Sequence, residues 1–274
     1  MVSTILLAAL VLATTTNAAA LGGLMPAVSL GGSTPAVSLN VSLPVVSLSA
    51  SVGAGAAPMP NGGWPTSQGD VYFAAPYTVK KGEVFDGGMK TYQRSNIKCQ
   101  GGMESSWRNA VFFVQEGGTL KNAIIGIDQM EGVHCEGGGN IVNVWWDAVC
   151  EDALSIKGGT KNSVTRVIGG GARSAADKVV QHNGYGSLIV EGFYAVNYGT
   201  FCRTCGDCGN KGVTISIKNV LAVNGRVRLV TQNTGDKFTA ENIMIKGKRV
   251  EVCSVGTGAS RRLCKDSLSS VTYV

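Results

Sequence analysis

Charge is missing from the first quarter of this chain, where no Asp, Glu, Lys or Arg precedes Asp70. Aromatic residues are missing there too, the first being Trp64. A stretch with neither has little means of building a packed core. Histidine occurs only twice in 274 residues, too sparse for a zinc centre built mainly on imidazoles. No apolar run approaches the roughly 20 residues that cross a bilayer, so a membrane-spanning helix is not expected. Good helix formers are few in the repeats described below, and amphipathic helices are a poor expectation for them.

What stands in the uncharged quarter is patterned. Residues 1–20 place an apolar block, Ile5 to Ala13, before a run of small residues, Ala18 to Ala20. That layout predicts a secretory signal peptide, with the α-amino group supplying the positive end. Residues 21–58 repeat Pro-Ala-Val-Ser-Leu from Pro26 and Pro35, then Pro-Val-Val-Ser-Leu from Pro44. A proline in every unit predicts a flexible stalk. Asn40-Val-Ser42, the one Asn-x-Ser/Thr sequon, lies in it.

The remaining residues, 59–274, are read as a single domain carrying all of the formal net charge of +6. A basic secreted domain favours an anionic partner, which outside a cell means acidic polysaccharide or a membrane surface more often than nucleic acid; the partner expected is the polysaccharide, with no nucleic acid and no membrane. It is expected to act as a monomer. All eight cysteines fall here and are expected to pair as disulfides. Cys202-x-x-Cys205-x-x-Cys208 resembles a metal run, but it lacks a second ligand pair at matched spacing.

A weak repeat starts at Leu120, anchored on Asn122, Asn143, Arg166, Gly192, Asn219 and Asn242. Two residues before each anchor stand Leu120, Ile141, Val164, Val190, Ile217 and Ala240; one residue after stand Ala123, Val144, Val167, Phe193, Val220 and Ile243. Apolar side chains at both places share an inward face only if the backbone turns a corner at the anchor. Corners recurring every twenty-odd residues describe a solenoid. Its Val and Ile content, and the absence of the leucine-rich pattern, predict an all-β, right-handed single-stranded parallel β-helix. One of Trp145 and Trp146 is expected in its core.

Chemistry-bearing residues cluster between the second and fourth repeats. Glu151 and Asp152 are adjacent, so both reach one hard cation only if the backbone bends between them, and Glu131 lies one coil earlier. Oxygen-rich and free of clustered His or Cys, such a site suits Ca2+. Lys178 follows Asp177 about one coil later, and Arg203 follows a coil after that. Stacking at about 4.8 Å makes these acids and bases neighbours.

These segments resemble the polysaccharide lyase family 3 pectate lyases: Phe85-Asp-Gly-Gly-Met-Lys90, Glu131-Gly-Val-His-Cys135, Asn143-Val-Trp-Trp146, Val149-Cys-Glu-Asp-Ala-Leu154, Asp177-Lys-Val-Val-Gln-His-Asn-Gly184 and Arg203-Thr-Cys-Gly-Asp-Cys208. The resemblance implies cleavage of de-esterified polygalacturonate (pectate) by β-elimination. It implies calcium on Glu131, Glu151 and Asp152, with Glu104 and Asp177 as further acids nearby. Lys178 matches the family's proposed base, Arg203 a substrate-binding and charge-stabilising arginine, and Lys157 a lysine lining the cleft. The base would need calcium and Arg203 beside it to depress its pKa.

The chain departs from the pattern at Tyr198-Gly-Thr-Phe-Cys-Arg203, where relatives read Phe-Gly-Lys-Leu-Tyr-Arg. Thr200 thus replaces a substrate-contacting lysine and Cys202 a tyrosine, and Cys99 is the partner expected for Cys202. A polygalacturonase-type hydrolase is a poorer match, because the acid cluster that flanks a glycosidic bond for hydrolysis is absent. A pectin-binding or host-recognised protein on the same fold is the other reading, since fold alone does not fix function.

Overall fold

The computed structural model describes residues 56–101, 105–256, 262–264 and 270–274. The signal-peptide reading, the sequon, nearly all of the stalk reading and Glu104 lie outside them. The chain from Val84 to Val255 alternates between two sheets, and among the described residues every strand pairing is parallel except that of Glu251–Val255 with Arg262–Leu263. One sheet carries Tyr77–Val79, Ala110–Val114, Glu131–Cys135, Asp152–Ile156, Lys178–His182, Thr200–Thr204, Arg228–Gln232 and Glu251–Val255 in spatial order. Because sequence order is spatial order, the chain winds as a solenoid of about eight turns, the predicted β-helix. Among the described residues no helix is long and apolar enough to cross a membrane.

The corners sit in the other sheet. Asn122, Asn143, Asn219 and Asn242 all lie at φ 51–53°, a left-handed conformation that Asn tolerates better than most residues. Their amides stack: Asn143 Nδ2 donates to Asn122 Oδ1 at 2.9 Å, and Asn242 Nδ2 to Asn219 Oδ1 at 2.7 Å. Arg166 is not a corner. It registers with Asn140, and Ile168 with Val142, so the equivalent of Asn143 is Gly169, at φ 67°. Val167 therefore belongs to the inward row two residues before the corner, beside Ile141 and Val190. The longer connection around residues 157–163 displaces the corner by three residues, and the Val-x-x-Val spacing of Val164 and Val167 imitates it.

Inside, the row Leu120, Ile141, Val167, Val190, Ile217 and Ala240 is at most 1 % exposed. Each Leu, Ile or Val of the row contributes about 1.5–3 kcal/mol by leaving water. Trp146 joins this core, while Trp145 is half-buried at the surface, its Nε1 donating to Asn143 Oδ1. Glycine at corner 192 leaves room that Ala57 and Pro58 occupy: a Cβ on Gly192 would stand 2.6 Å from the Cβ of Ala57, and Asn219 Nδ2 donates to Ala57 O at 2.6 Å.

Six cysteines pair, as Cys99–Cys150, Cys205–Cys208 and Cys253–Cys264; Cys135 and Cys202 are free and buried. The expectations that all eight pair, and that Cys202 meets Cys99, are corrected here. Cys202 registers between Val180 and Val230 in an inward row and is 0 % exposed. It packs there as a small apolar residue, away from Cys99, whose partner is Cys150.

Candidate active site

Stacking organises the outer side of the sheet that carries Asp152–Ile156 into rows with one residue per coil. Asp152, Lys178, Thr200, Arg228 and Glu251 form the first row. His134, Ser155, Gln181, Arg203, Thr231 and Ser254 form the second. Glu131 stands one coil before Asp152, each two residues ahead of the paired Val133 and Leu154. Register alone therefore brings acids and bases separated by about twenty residues into contact.

Glu151 occupies a bend immediately before the strand Asp152–Ile156. That bend resolves the adjacency problem, because Glu151, Asp152 and Asp177 offer carboxylate oxygens that all lie within 4.8 Å of one another. The Cys99–Cys150 disulfide anchors the turn at the residue before Glu151. Closing a long loop in this way restricts the unfolded chain and holds the acidic turn in place. Lys178 reaches into the trio: its Nζ donates to Asp177 Oδ2 and lies 3.3 Å from Asp152 Oδ1 and 3.8 Å from Glu151 Oε1.

The electrostatics follow from this crowding. Burial and the neighbouring Glu151 push the Asp152 carboxyl well above the usual carboxylate range, with Lys178 pulling the other way. For Lys178 burial works downward, but Asp152, Asp177 and Glu151 outweigh it and hold the ammonium above its ordinary value. The carboxylates surrounding the lysine thus oppose the depressed pKa expected of a base.

The trio fits a hard divalent cation. Its donors are carboxylate oxygens without a thiolate or imidazole among them, as Ca2+ prefers. The buried Asp152 Oδ1 has Lys178 Nζ at 3.3 Å as its close partner but no hydrogen bond of good geometry, which leaves this buried oxygen only partly satisfied and able to accept a cation. Glu131 is not one of the three. Its Oε2 pairs with His134 Nε2 at 2.9 Å, both side chains being buried, which leaves it one coil behind the cluster.

Lys178 and Arg203 open onto one cleft of about 360 Å³, together with Gln181, Asn183, Cys205, Gly206 and Asp207. Thr200 lies between Lys178 and Arg228 in the first row and is 8 % exposed. Lys157 is exposed and does not line this cleft; it directly follows the strand Asp152–Ile156, one coil from Asn183. Sequence reasoning did not select Gln181 and Asn183, although they fall in the segment it singled out; their register beside Arg203 was the available signal. Asp207 lay inside a run that was read for its cysteines, as disulfides or a metal run, and was not itself selected. His182 neighbours the cleft at 1 % exposure, its ring nitrogens unpartnered, and burial pushes its pKa down to about 4, so it is neutral at physiological pH.

The pectate lyase family model matches residues 61–261. Among curated relatives, "Probable pectate lyase D" of Emericella nidulans is 51 % identical over 65 % of this chain and 67 % of its own length. "Probable pectate lyase E" of Aspergillus oryzae is 47 % identical over 70 % of this chain and 74 % of its own. The crystal structure of the catalytic domain of pectate lyase PelI from Erwinia chrysanthemi shares the fold at TM-score 0.52 and 23 % identity, covering 76 % of this chain and 94 % of that one. A structure of PelI in complex with tetragalacturonic acid aligns with TM-score 0.52 at 24 % identity, over 76 % of this chain and 71 % of that one.

Proposed function

The chain belongs to the pectate lyase family, and from that premise we propose that it cleaves de-esterified polygalacturonate outside the cell by calcium-assisted β-elimination. The observation that carries this reading is the convergence of Glu151, Asp152 and Asp177 on Lys178, beside Arg203 in one cleft.

The reaction removes the proton at C5 of a galacturonate, forms the C4=C5 double bond and breaks the C4–O bond, the departing glycosidic oxygen taking a proton from water to become a hydroxyl. The hard step is the first, because the C5 proton is only weakly acidic and charge builds on the adjoining carboxylate as it leaves. Glu151, Asp152 and Asp177 would hold calcium in this reading, with Glu131 a further acid one coil behind. When bound, calcium supplies positive charge at the uronate carboxylate and offsets the field of the acids around Lys178. Lys178 takes the C5 proton on Nζ. Arg203 pairs with a carboxylate of the chain and stabilises its growing negative charge, which a planar guanidinium does in bidentate fashion. Lys157, one coil from the cleft, adds positive charge along the approach of the polymer. Thr200 supplies no cation, so polymer affinity falls to the remaining basic groups.

The test is direct. Purified protein incubated with polygalacturonate is expected to release unsaturated product, seen by its ultraviolet absorbance, and a chelator is expected to stop the release. Lys178→Ala is expected to lose about 10² to 10⁴ in kcat while still retaining polygalacturonate in a binding assay. Reducing ends without unsaturated product would mean hydrolysis, and a fully active Lys178→Ala enzyme would remove Lys178 from the role of base.

A further inference from the structure

Three successive coils each present one cation on the same sheet. Lys178 stands in the first row, Arg203 in the second row one coil later, and Arg228 in the first row one coil later again. Thr200, the first-row residue of the middle coil, is neutral, so the cations alternate between rows as they advance along the solenoid. We propose that Arg228 is a substrate-binding residue that pairs with a polygalacturonate carboxylate about one coil beyond the one held by Arg203. This inference rests on the reading of the substrate given above.

The chemistry of the position supports it. Polygalacturonate bears a carboxylate on every sugar, so a chain lying along the stack meets the rows repeatedly. Consecutive cations are offset by one coil, about 4.8 Å along the axis, and change rows at each step. Arg228 Nη1 donates to Ser254 Oγ at 2.6 Å, and its Nε lies 3.7 Å from Glu251 Oε2. Both partners belong to the next coil, away from the acidic trio, so the guanidinium leans in the direction that extends the cationic strip. Its planar head carries five N–H donors, which makes a hold on Ser254 and Glu251 compatible with a contact to a carboxylate. The side chain is 15 % exposed. A partly desolvated guanidinium already fixed in orientation loses less entropy on pairing than a free lysine would.

The experiment measures the affinity of trigalacturonate and hexagalacturonate by calorimetry, alongside steady-state turnover, for the wild type, Arg228→Ala, Arg228→Lys and Glu251→Gln. Arg228→Ala is expected to weaken hexagalacturonate about tenfold or more, the size of a lost hydrogen bond to a charged group. It is expected to leave trigalacturonate affinity and kcat nearly unchanged, with Arg228→Lys keeping part of the hexagalacturonate affinity. Glu251→Gln is expected to leave both affinities close to wild type. If Arg228 merely clamps two coils, Glu251→Gln and Arg228→Ala would weaken both lengths alike and lower the melting temperature together, and that result overturns the proposal. Unchanged hexagalacturonate affinity in Arg228→Ala overturns it as well. A wild type that binds hexagalacturonate without forming unsaturated product would remove the lyase reading and leave the Arg228 comparison intact; one that neither binds nor cleaves removes both.

Discussion

Asp152 is the residue on which the candidate site turns. It lies between a buried neighbour of its own sign, Glu151, and the lysine one coil away, whose Nζ stands 3.3 Å from its Oδ1. A carboxylate so placed is costly to ionise unless a cation offsets it. Asp152→Asn removes one negative charge and one hard donor while keeping the size of the side chain. The expected outcome is a rise of about tenfold or more in the calcium concentration giving half-maximal activity, consistent with affinity being tuned by ligand charge, with the circular dichroism spectrum unaltered. Titrating activity against free calcium checks it, and an unchanged calcium requirement would remove Asp152 from the metal site. The pH profile belongs to the same scale. The acids raise Lys178, so the rate is expected to climb above neutrality, and calcium is expected to move that climb to lower pH.

Among the elements, the corners show what a sequence discloses and what it conceals. Asn122, Asn143, Asn219 and Asn242 were legible because a stacked amide is itself a repeating residue, flanked by apolar positions that exist only where the chain turns. The corner at Gly169 was concealed: glycine leaves no side chain to repeat, and Arg166 stood where a coil of ordinary length would have put the turn. The acidic pair was legible through its charge and adjacency. Gln181 and Asn183 carry no charge and became visible only through register. Cysteine pairing is set by which coils meet in space, so the number of cysteines gave no indication that Cys135 and Cys202 would stay apart. The two neighbouring glycines of this corner give opposite expectations. A Cβ on Gly169 has nothing nearer than 3.9 Å, whereas one on Gly170 would stand 2.1 Å from the Val144 carbonyl oxygen. Gly169→Asn is therefore expected to fold with stability within about 1 kcal/mol of wild type, since Asn accepts this φ at small cost. Gly170→Ala is expected to lose more than about 2 kcal/mol, because backbone must move in a packed solenoid. Denaturant midpoints at constant m-value separate the two, and equal midpoints would mean that the corner yields more readily than its packing implies.

For the whole molecule, stacking makes the site and the fold share one free energy. The rows that hold Asp152 and Lys178 are continuous with the rows that close the core, so a proton taken up at the site registers in global stability. Two groups set the direction. Burial lowers His182 to about 4 from an ordinary value near 6.5; between those pH values the unfolded chain binds a proton that the fold refuses, and stability falls as pH drops through that window. Asp152 is raised from 3.8 to about 8, so above its unfolded value the fold keeps a proton that the unfolded chain releases, and stability falls as pH climbs towards 8. The two windows overlap between about 4 and 6.5, where the groups work against each other, while above 6.5 Asp152 acts alone. In chelator the melting temperature is therefore expected to decline from pH 6.5 to pH 8. Calcium binds the ionised carboxylates of the folded chain and stabilises by mass action, so the rise in melting temperature on adding calcium is expected to be larger at pH 8 than at pH 6. Scanning calorimetry at the two pH values, with and without calcium, decides the matter. A calcium effect of equal size at both would mean that Asp152 is ionised in the fold throughout this range, and that its burial is compensated by contacts other than a metal ion.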